Sequence, residues 1–132
     1  MKKKRKIIIL IFIAIISIIV IFSVVKSNIE NNLKELINVS ISDVDLSSVQ
    51  NGNYPGSYKV FPIAVKVSVT VRDHKISSIE LLEHKNGHGT PAEAILNKII
   101  EAQTLKVDVI SGATYSSVVI LKAIENALSY SN

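Results

Sequence analysis

Residues 64–72 alternate between apolar and polar side chains more strictly than any other part of the chain. One set of alternate positions is entirely valine: Val65, Val67, Val69 and Val71. The other set is polar or charged: Lys66, Ser68, Thr70 and Arg72. Because successive side chains of a strand point to opposite faces, this pattern predicts a half-buried β-strand.

The residues on either side of this strand predict two partners for it. Residues 72–75 predict a tight reversal, and residues 76–83 predict a returning strand whose inward face carries Ile79 and Leu81. Upstream, the Gly- and Pro-containing residues 51–56 predict a turn, and residues 57–61 predict a first strand. The three strands form an antiparallel β-meander, which we interpret as scaffold.

Two helices are predicted after the strands. Thr90 is a candidate N-cap, Pro91 suits the first helical position, and Glu93 completes a capping box, so a helix begins here and continues to Gln103. A second helix follows residue 117, where apolar residues recur at helical spacing: Val118, Leu121, Ile124, Ala127 and Leu128. The predicted fold class is therefore α+β, a small antiparallel sheet with two packed helices.

A long apolar segment precedes this domain. Residues 7–25 carry no charge, and as a helix they span about 28 Å, close to the hydrocarbon thickness of a bilayer. We therefore predict one N-terminal transmembrane helix, an uncleaved signal anchor. A cleaved signal peptide is the alternative, but its apolar core is shorter and a small-x-small cleavage site is missing before Lys26. The five basic residues at 2–6 place the N-terminus in the cytoplasm and the remainder outside.

Between the anchor and the domain lie residues 26–48. Ser27 and Glu30 suggest a capping box in a juxtamembrane helix over residues 27–38, which either continues or follows the anchor. Residues 41–50 are polar and predict a linker with at most a short strand. The domain itself is predicted over residues 49–132, and residues 1–6 form a basic cytoplasmic tail.

Composition excludes several kinds of chemistry. The chain has no cysteine, which removes disulfides, thiolate nucleophiles, Cys-ligated iron–sulfur clusters and lipoprotein processing. Its net charge of +4 comes from the tail, since ten basic residues face eleven acidic ones from Lys26 onward. The body lacks the positive surface that nucleic-acid binding requires, so we expect no nucleic-acid partner. Redox chemistry would need a bound organic cofactor or a non-thiolate metal site.

Residues 108–117 concentrate polar chemistry just before the second helix. They contain one carboxylate, Asp108, a Gly112-Ala113 pair, and four hydroxyls: Ser111, Thr114, Ser116 and Ser117. A helix start offers free backbone N–H groups and a partial positive charge, which suits a phosphate. On composition alone, ordinary N-capping by Ser or Thr explains the segment equally well.

The pattern Asp-x-x-Ser-Gly-Ala-Thr-x-Ser over residues 108–116 resembles the flavinylation motif of the FMN-binding domain family. That family includes flavin-carrying subunits of sodium-pumping NADH:quinone reductase and Rnf-type complexes. A weaker resemblance lies in Asn51-Gly-x-Tyr-x-Gly, where the family usually has Asp at the first position. The resemblance implies FMN as cofactor, joined through its phosphate to Ser116, where the family more often has Thr. It leaves Thr114 and Ser117 open as attachment points.

The resemblance also implies which other residues contact the cofactor. Around the attachment point these are Ser111, Gly112, Ala113, Thr114, Ser117 and Asp108. A second contact comes from a His/Gly/Thr-Pro segment near the flavin ring: His88, Gly89 and Thr90. From the residues alone, His84 and His88 are interpreted as part of a solvated loop. A metal site is the weaker alternative because a third ligand is not apparent, and none is predicted.

These observations predict a membrane-anchored extracytoplasmic electron-transfer protein, not a self-contained reductase. The resemblance implies a separate flavin transferase, which uses FAD and a divalent metal, as one partner. The other expected partners are a membrane electron donor and an extracytoplasmic acceptor. Two alternatives remain, a non-covalent FMN-binding or sensing module and an interaction domain with an empty site.

Overall fold

A computed structural model describes residues 1–85 and 89–130. The chain divides into two compact units, Met1–Asn32 and Leu33–Asn132. Helix α1, Lys2–Leu36, is long and apolar enough to cross a membrane, and its apolar window is not buried within the protein. Because α1 continues without a break through Ser27, the capping box predicted there is wrong. The juxtamembrane segment continues the anchor helix, which is one of the two arrangements expected from the sequence.

The second unit is built on a three-stranded antiparallel sheet. Its strands are β1 (Gly52–Val60), β2 (Ile63–Arg72) and β3 (Lys75–Lys85), in the order β1-β2-β3. The valines of β2 are buried on one face, which confirms the predicted half-buried strand. Asp73 and His74 both have positive φ, of 50° and 59°, as a two-residue type I′ hairpin turn requires. The predicted meander is thus confirmed.

Strand β1 begins earlier than predicted, because residues 52–56 are extended and do not form a turn. Pro55 is exposed on an edge strand, the position in a sheet where proline is tolerated. Gly56 is required by packing, since a Cβ there would lie 2.2 Å from the Ala123 carbonyl oxygen. Tertiary contact therefore overrides the usual turn preference of these residues.

Two register shifts in the β2–β3 pairing set the direction of the β3 side chains. Ile76 pairs with Val71 and Ile79 with Val69, so both face the core although they are an odd number of residues apart. The second shift, between Lys66 and Val67, places Glu83 opposite Lys66 and His84 opposite Val65. Such bulges carry one unpaired residue each and reverse the alternation beyond them. As a result, His84 shares the inward face of the sheet.

Helices complete the unit. A 3₁₀ segment at Thr90–Ala94 leads into α2, Ile95–Ala102, and α3 covers Thr114–Ser129. Gly89, not Thr90, is the N-cap of the 3₁₀ segment, and the segment has no side-chain cap. The Glu93 carboxylate contacts His84. Gln103 leaves the helix with φ of 55°, and its side-chain amide bonds the backbone N–H and C=O of Ile76. Helix α2 is therefore shorter than predicted and tied to the edge of β3.

The core lies between α3 and the inward face of the sheet. All five apolar residues predicted for α3 are buried, which confirms its core face. Core packing begins at Leu33, ahead of the predicted domain start at residue 49, because Leu36 is 1% exposed and belongs to the same cluster. Within the predicted linker, Leu46–Ser48 form a 3₁₀ turn, and residues 41–50 contain no strand.

Candidate functional site

The segment before α3 is held in a tight turn by one hydroxyl. The Ser117 hydroxyl accepts a hydrogen bond from the Ile110 N–H at 3.0 Å and donates one to the Ala113 carbonyl at 2.8 Å. The Ala113 N–H closes the turn by donating to the Ile110 carbonyl. Gly112 has φ of +78°, a conformation that glycine adopts at little cost. These contacts fix the backbone from which Thr114, Tyr115 and Ser116 start the helix.

A cavity of about 300 Å³ lies at this helix start. Its lining joins residues that are distant in sequence: Leu33, Pro62, Ile63, Gly89 and the continuous run from Gly112 to Ser116. Ser116 is 3% exposed and Thr114 is exposed, so the wall offers one sheltered and one open hydroxyl. The first turn of α3 adds free backbone N–H groups and the positive end of the helix dipole.

The connection leading into the motif is fastened to the segment after α1. The Asp43 carboxylate accepts hydrogen bonds from the Thr104 hydroxyl at 2.6 Å and the Leu105 N–H at 3.0 Å. Burial by itself would raise the pKa of Asp43, but these bonds, a third from the Val44 N–H and the Lys106 charge hold it below its ordinary value. The carboxylate therefore stays ionised, and it anchors the chain shortly before the motif.

Some of the predicted site residues meet at the cavity and others do not. The motif residues Gly112, Ala113, Thr114 and Ser116 line it together with Gly89, which connects the two predicted cofactor segments. Asp108, Ser111, Ser117 and Thr90 are not in its lining; Asp108 lies along a separate groove with Lys98 and Lys106. His88 lies outside the described residues. The roles of these residues in binding stay predictions.

Four lining residues were missed by sequence reasoning: Leu33, Pro62, Ile63 and Tyr115. Tyr115 lies inside the motif and could have been found there. Pro62 and Ile63 form the corner between β1 and β2, and only the fold shows that this corner meets the start of α3. Leu33 is one of several apolar residues at helical spacing. This spacing predicts that Leu33 is packed, but it does not show against which surface.

His84 is not in a solvated loop, which corrects the interpretation from sequence. It lies in β3, its side chain is 3% exposed, and its Nδ1 is 2.9 Å from the Glu93 Oε1. The second bulge turns it inward, where the carboxylate of the 3₁₀ segment meets it. This pair fastens the segment that follows Gly89 to the end of the sheet. Among residues 1–85 and 89–130, no group of three metal-ligating side chains is present.

Asn51, where the family usually has Asp, connects β1 to the β2–β3 hairpin turn. Its side-chain oxygen accepts a hydrogen bond from the Asp73 N–H at 2.8 Å and so ties the entry of β1 to the β2–β3 turn. An Asp oxygen would accept the same bond, so the exchange leaves the fold unchanged.

Comparison with known proteins bears on these features directly. The family model of the FMN-binding domain matches residues 62–129, from the cavity-lining Pro62 to the last residue of α3. The chain belongs to the FMN-binding domain family. It is also 36% identical over 99 residues to the NADH:acrylate oxidoreductase of Vibrio harveyi. That match covers 73% of this chain but only 9% of the relative, which is therefore a far longer protein.

FMN is thus the cofactor of this FMN-binding domain. The residues that line the cavity have the chemistry to hold it, and its placement there stays a prediction. The Thr114 and Ser116 hydroxyls and the start of α3 would supply the hydrogen-bond donors that its phosphate requires. Leu33, Pro62 and Ile63 would supply the apolar wall that its ring requires. A Cβ at Gly112 would meet no atom within 4 Å, so the approach on that side is open.

Proposed function

We propose that the chain is a membrane-anchored electron carrier whose FMN is linked by a phosphoester to Ser116 on the extracytoplasmic side. FMN, when bound, supplies one- and two-electron redox chemistry, and the protein supplies its placement. The observation that carries the proposal is the cavity at the start of α3, which brings Ser116 together with the second cofactor segment at Gly89. The similarity to an NADH:acrylate oxidoreductase supports a role in electron transport.

The hydroxyl contacts favour Ser116 over its two neighbours as the attachment point. Ser117 already uses its hydroxyl as both donor and acceptor inside the turn, and a phosphoester there would break both bonds. Thr114 lines the cavity but is exposed, where it suits a contact to the phosphate. Ser116 combines a place in the lining with shelter from solvent, which would protect the ester.

Attachment requires a separate flavin transferase with FAD as donor. The Ser116 hydroxyl oxygen forms a bond to the FMN phosphorus, the P–O–P bond of FAD breaks, and AMP leaves with the hydroxyl proton. No oxidation occurs in this step, so the chain receives its cofactor ready for use.

The anchor and the basic tail support the proposed location. Helix α1 is long and apolar enough to span a membrane, and the five basic residues before it favour a cytoplasmic N-terminus. A covalent tether has a clear use outside the cell, where a dissociated FMN would be lost by diffusion. The electron donor would then lie in the membrane and the acceptor outside it.

The test is the intact mass of the full chain, exported with and without a matching flavin transferase. We expect the mass of one FMN less one water with the transferase, and no gain for Ser116→Ala. Ser116→Thr should restore the gain, and the matched control Thr114→Ala should keep it.

Three outcomes would contradict parts of this proposal. A mass gain that survives in Ser116→Ala and vanishes in Thr114→Ala would show that FMN is attached to Thr114 and not to Ser116. Yellow protein whose flavin is released on denaturation would leave a non-covalent FMN-binding module. Colourless protein with an active transferase would indicate an empty interaction domain.

A further inference from the structure

The outer face of the sheet carries a groove beside the flavin cavity. The groove has a volume of about 580 Å³, and it shares Pro62 with the cavity lining. We name it the lysine groove after Lys59, Lys66 and Lys85, which line it. Helix α3 packs on the opposite, inward face, so the described elements leave this end of the outer face uncovered.

Strand pairing explains both the shape of the groove and its charge. Lys59 pairs with Ala64, and Ala64 pairs with Lys85, so two lysines stand on either side of a small residue in one row across the sheet. Lys66 occupies the next row, opposite Glu83. Neighbouring strands lie about 4.8 Å apart, so the three lysine side chains line one groove together with Ala64.

The groove is positive in a domain that is otherwise acidic. Lys66 lies 3.2 Å and Lys85 3.4 Å from the Glu83 carboxylate, yet the two lysine side chains remain 61% and 75% exposed. The hydrogen bond from Lys66 holds the pKa of Glu83 below its ordinary value, so this carboxylate stays charged and offsets one lysine. Three lysines thus face one glutamate, whereas from Lys26 onward acidic residues outnumber basic ones.

An exposed aromatic side chain borders the groove. Phe61 is 57% exposed at the corner between β1 and β2, next to Pro62. Phe61 and the three lysines line the same groove, so an apolar side chain lies beside charged ones, as in the apolar core and polar rim of a protein interface. The position of Phe61 matters because electrons pass over short distances. The same corner contributes Pro62 and Ile63 to the cavity at the start of α3, where we place the flavin.

We propose that the lysine groove is the docking surface for an electron-transfer protein that presents carboxylates around an apolar contact. The inference rests on the proposed electron-carrier function and names the chemistry of its redox partner. The three lysines steer and orient the acidic partner, while Phe61 and Pro62 bring it against the wall of the flavin cavity. Anionic lipid is the competing occupant, but contact with lipid gives no reason for the groove to adjoin the cofactor.

The test uses the flavin-loaded full chain in micelles, with an acidic flavodoxin as probe. We expect the rate at which reduced flavodoxin reduces the chain to fall about tenfold or more, at low ionic strength, when Lys59, Lys66 and Lys85 are all changed to Glu. The loss should disappear at high salt, where the charges are screened. The matched control changes Arg72, Lys75 and Lys98, all exposed and outside the groove, to Glu.

A second readout does not depend on flavin. In an NMR titration with oxidised flavodoxin, the amide shifts should concentrate at Lys59, Ala64 and Lys85, and the milder triple Lys→Gln variant should weaken them. Equal loss of rate in both charge-reversed variants would overturn the docking surface. So would shifts that arise only with phosphatidylglycerol vesicles, because the groove would then bind lipid.

The two proposals fail in different ways. A chain that never takes up FMN but still shows flavodoxin shifts in the groove would overturn the electron-carrier function and support the docking surface. A chain that holds FMN and is reduced by dithionite, with no flavodoxin shifts in the groove, would overturn the docking surface alone.

Discussion

At Gly56 the backbones of α3 and β1 come so close that no side chain fits between them. A Cβ would lie 2.2 Å from the Ala123 oxygen and 2.6 Å from the Ala127 Cβ. Gly56→Ala should therefore displace the helix and lower the free energy of unfolding by about 2 kcal/mol or more, measured by urea denaturation. Gly52→Ala is the matched control, because its Cβ meets only the Tyr54 ring at an ordinary 3.5 Å. Equal effects of the two changes would contradict the close approach.

Single residues also show where the sequence was informative. The motif identified Ser116 as the tether candidate, and the hydroxyls next to it could not be ranked without coordinates. The structure separates them, because Ser117 holds the turn while Thr114 and Ser116 line the cavity. The burial of His84 depends on a one-residue bulge in β3. The alternation of apolar and polar residues in the sequence does not reveal this bulge.

Among the elements, the connection before the motif depends on Asp43. Its pKa is lowered in the folded chain, so its contribution to stability is present above the ordinary value of 3.8 and is lost as the pH falls from there through the folded value. Asp43→Asn should lower the free energy of unfolding at neutral pH and flatten its loss in acid, measured by denaturation between pH 2 and 7.

Asp45→Asn is the control for Asp43. Asp45 also has a lowered pKa, first through the Ser47 hydroxyl and then through the Ser47 N–H, but these partners lie only two residues away. An unfolded chain can form such local bonds, so we expect a smaller effect. A larger effect for Asp45 than for Asp43 would contradict the anchoring role.

Elements in which apolar residues recur at one regular spacing were predicted well. Elements whose ends depend on tertiary contacts were not. The valines of β2 and the apolar face of α3 each follow their own period, and both lie in the core as predicted. The predicted β1 was too short because Pro55 and Gly56 usually mark turns. In the structure Pro55 lies on an edge strand, where proline is tolerated, and Gly56 packs against α3. The capping box predicted at Thr90 does not form, and the Glu93 carboxylate contacts His84, a partner that only the folded sheet supplies.

At the scale of the whole molecule, the core includes the last turn of α1. Leu36 is 1% exposed, whereas the next residue, Ile37, is 64% exposed. Leu36→Ala should therefore lower the free energy of unfolding of the domain by about 2 to 5 kcal/mol, and Ile37→Ala by no more than about 0.5 kcal/mol. Thermal or urea unfolding of the flavin-loaded chain measures both. Similar effects of the two changes would show that the helix end is not part of the core.

The position of Leu33 restricts how such a domain can be released from a membrane. A cut before Leu33 leaves the folded unit with Leu33 in its cavity wall and Leu36 in its core. A cut only a few residues later removes Leu33, one of the three apolar residues of the cavity wall, and opens the cavity on that side. The length of helix that survives cleavage therefore decides whether a shed domain is still a usable flavoprotein or only a fragment.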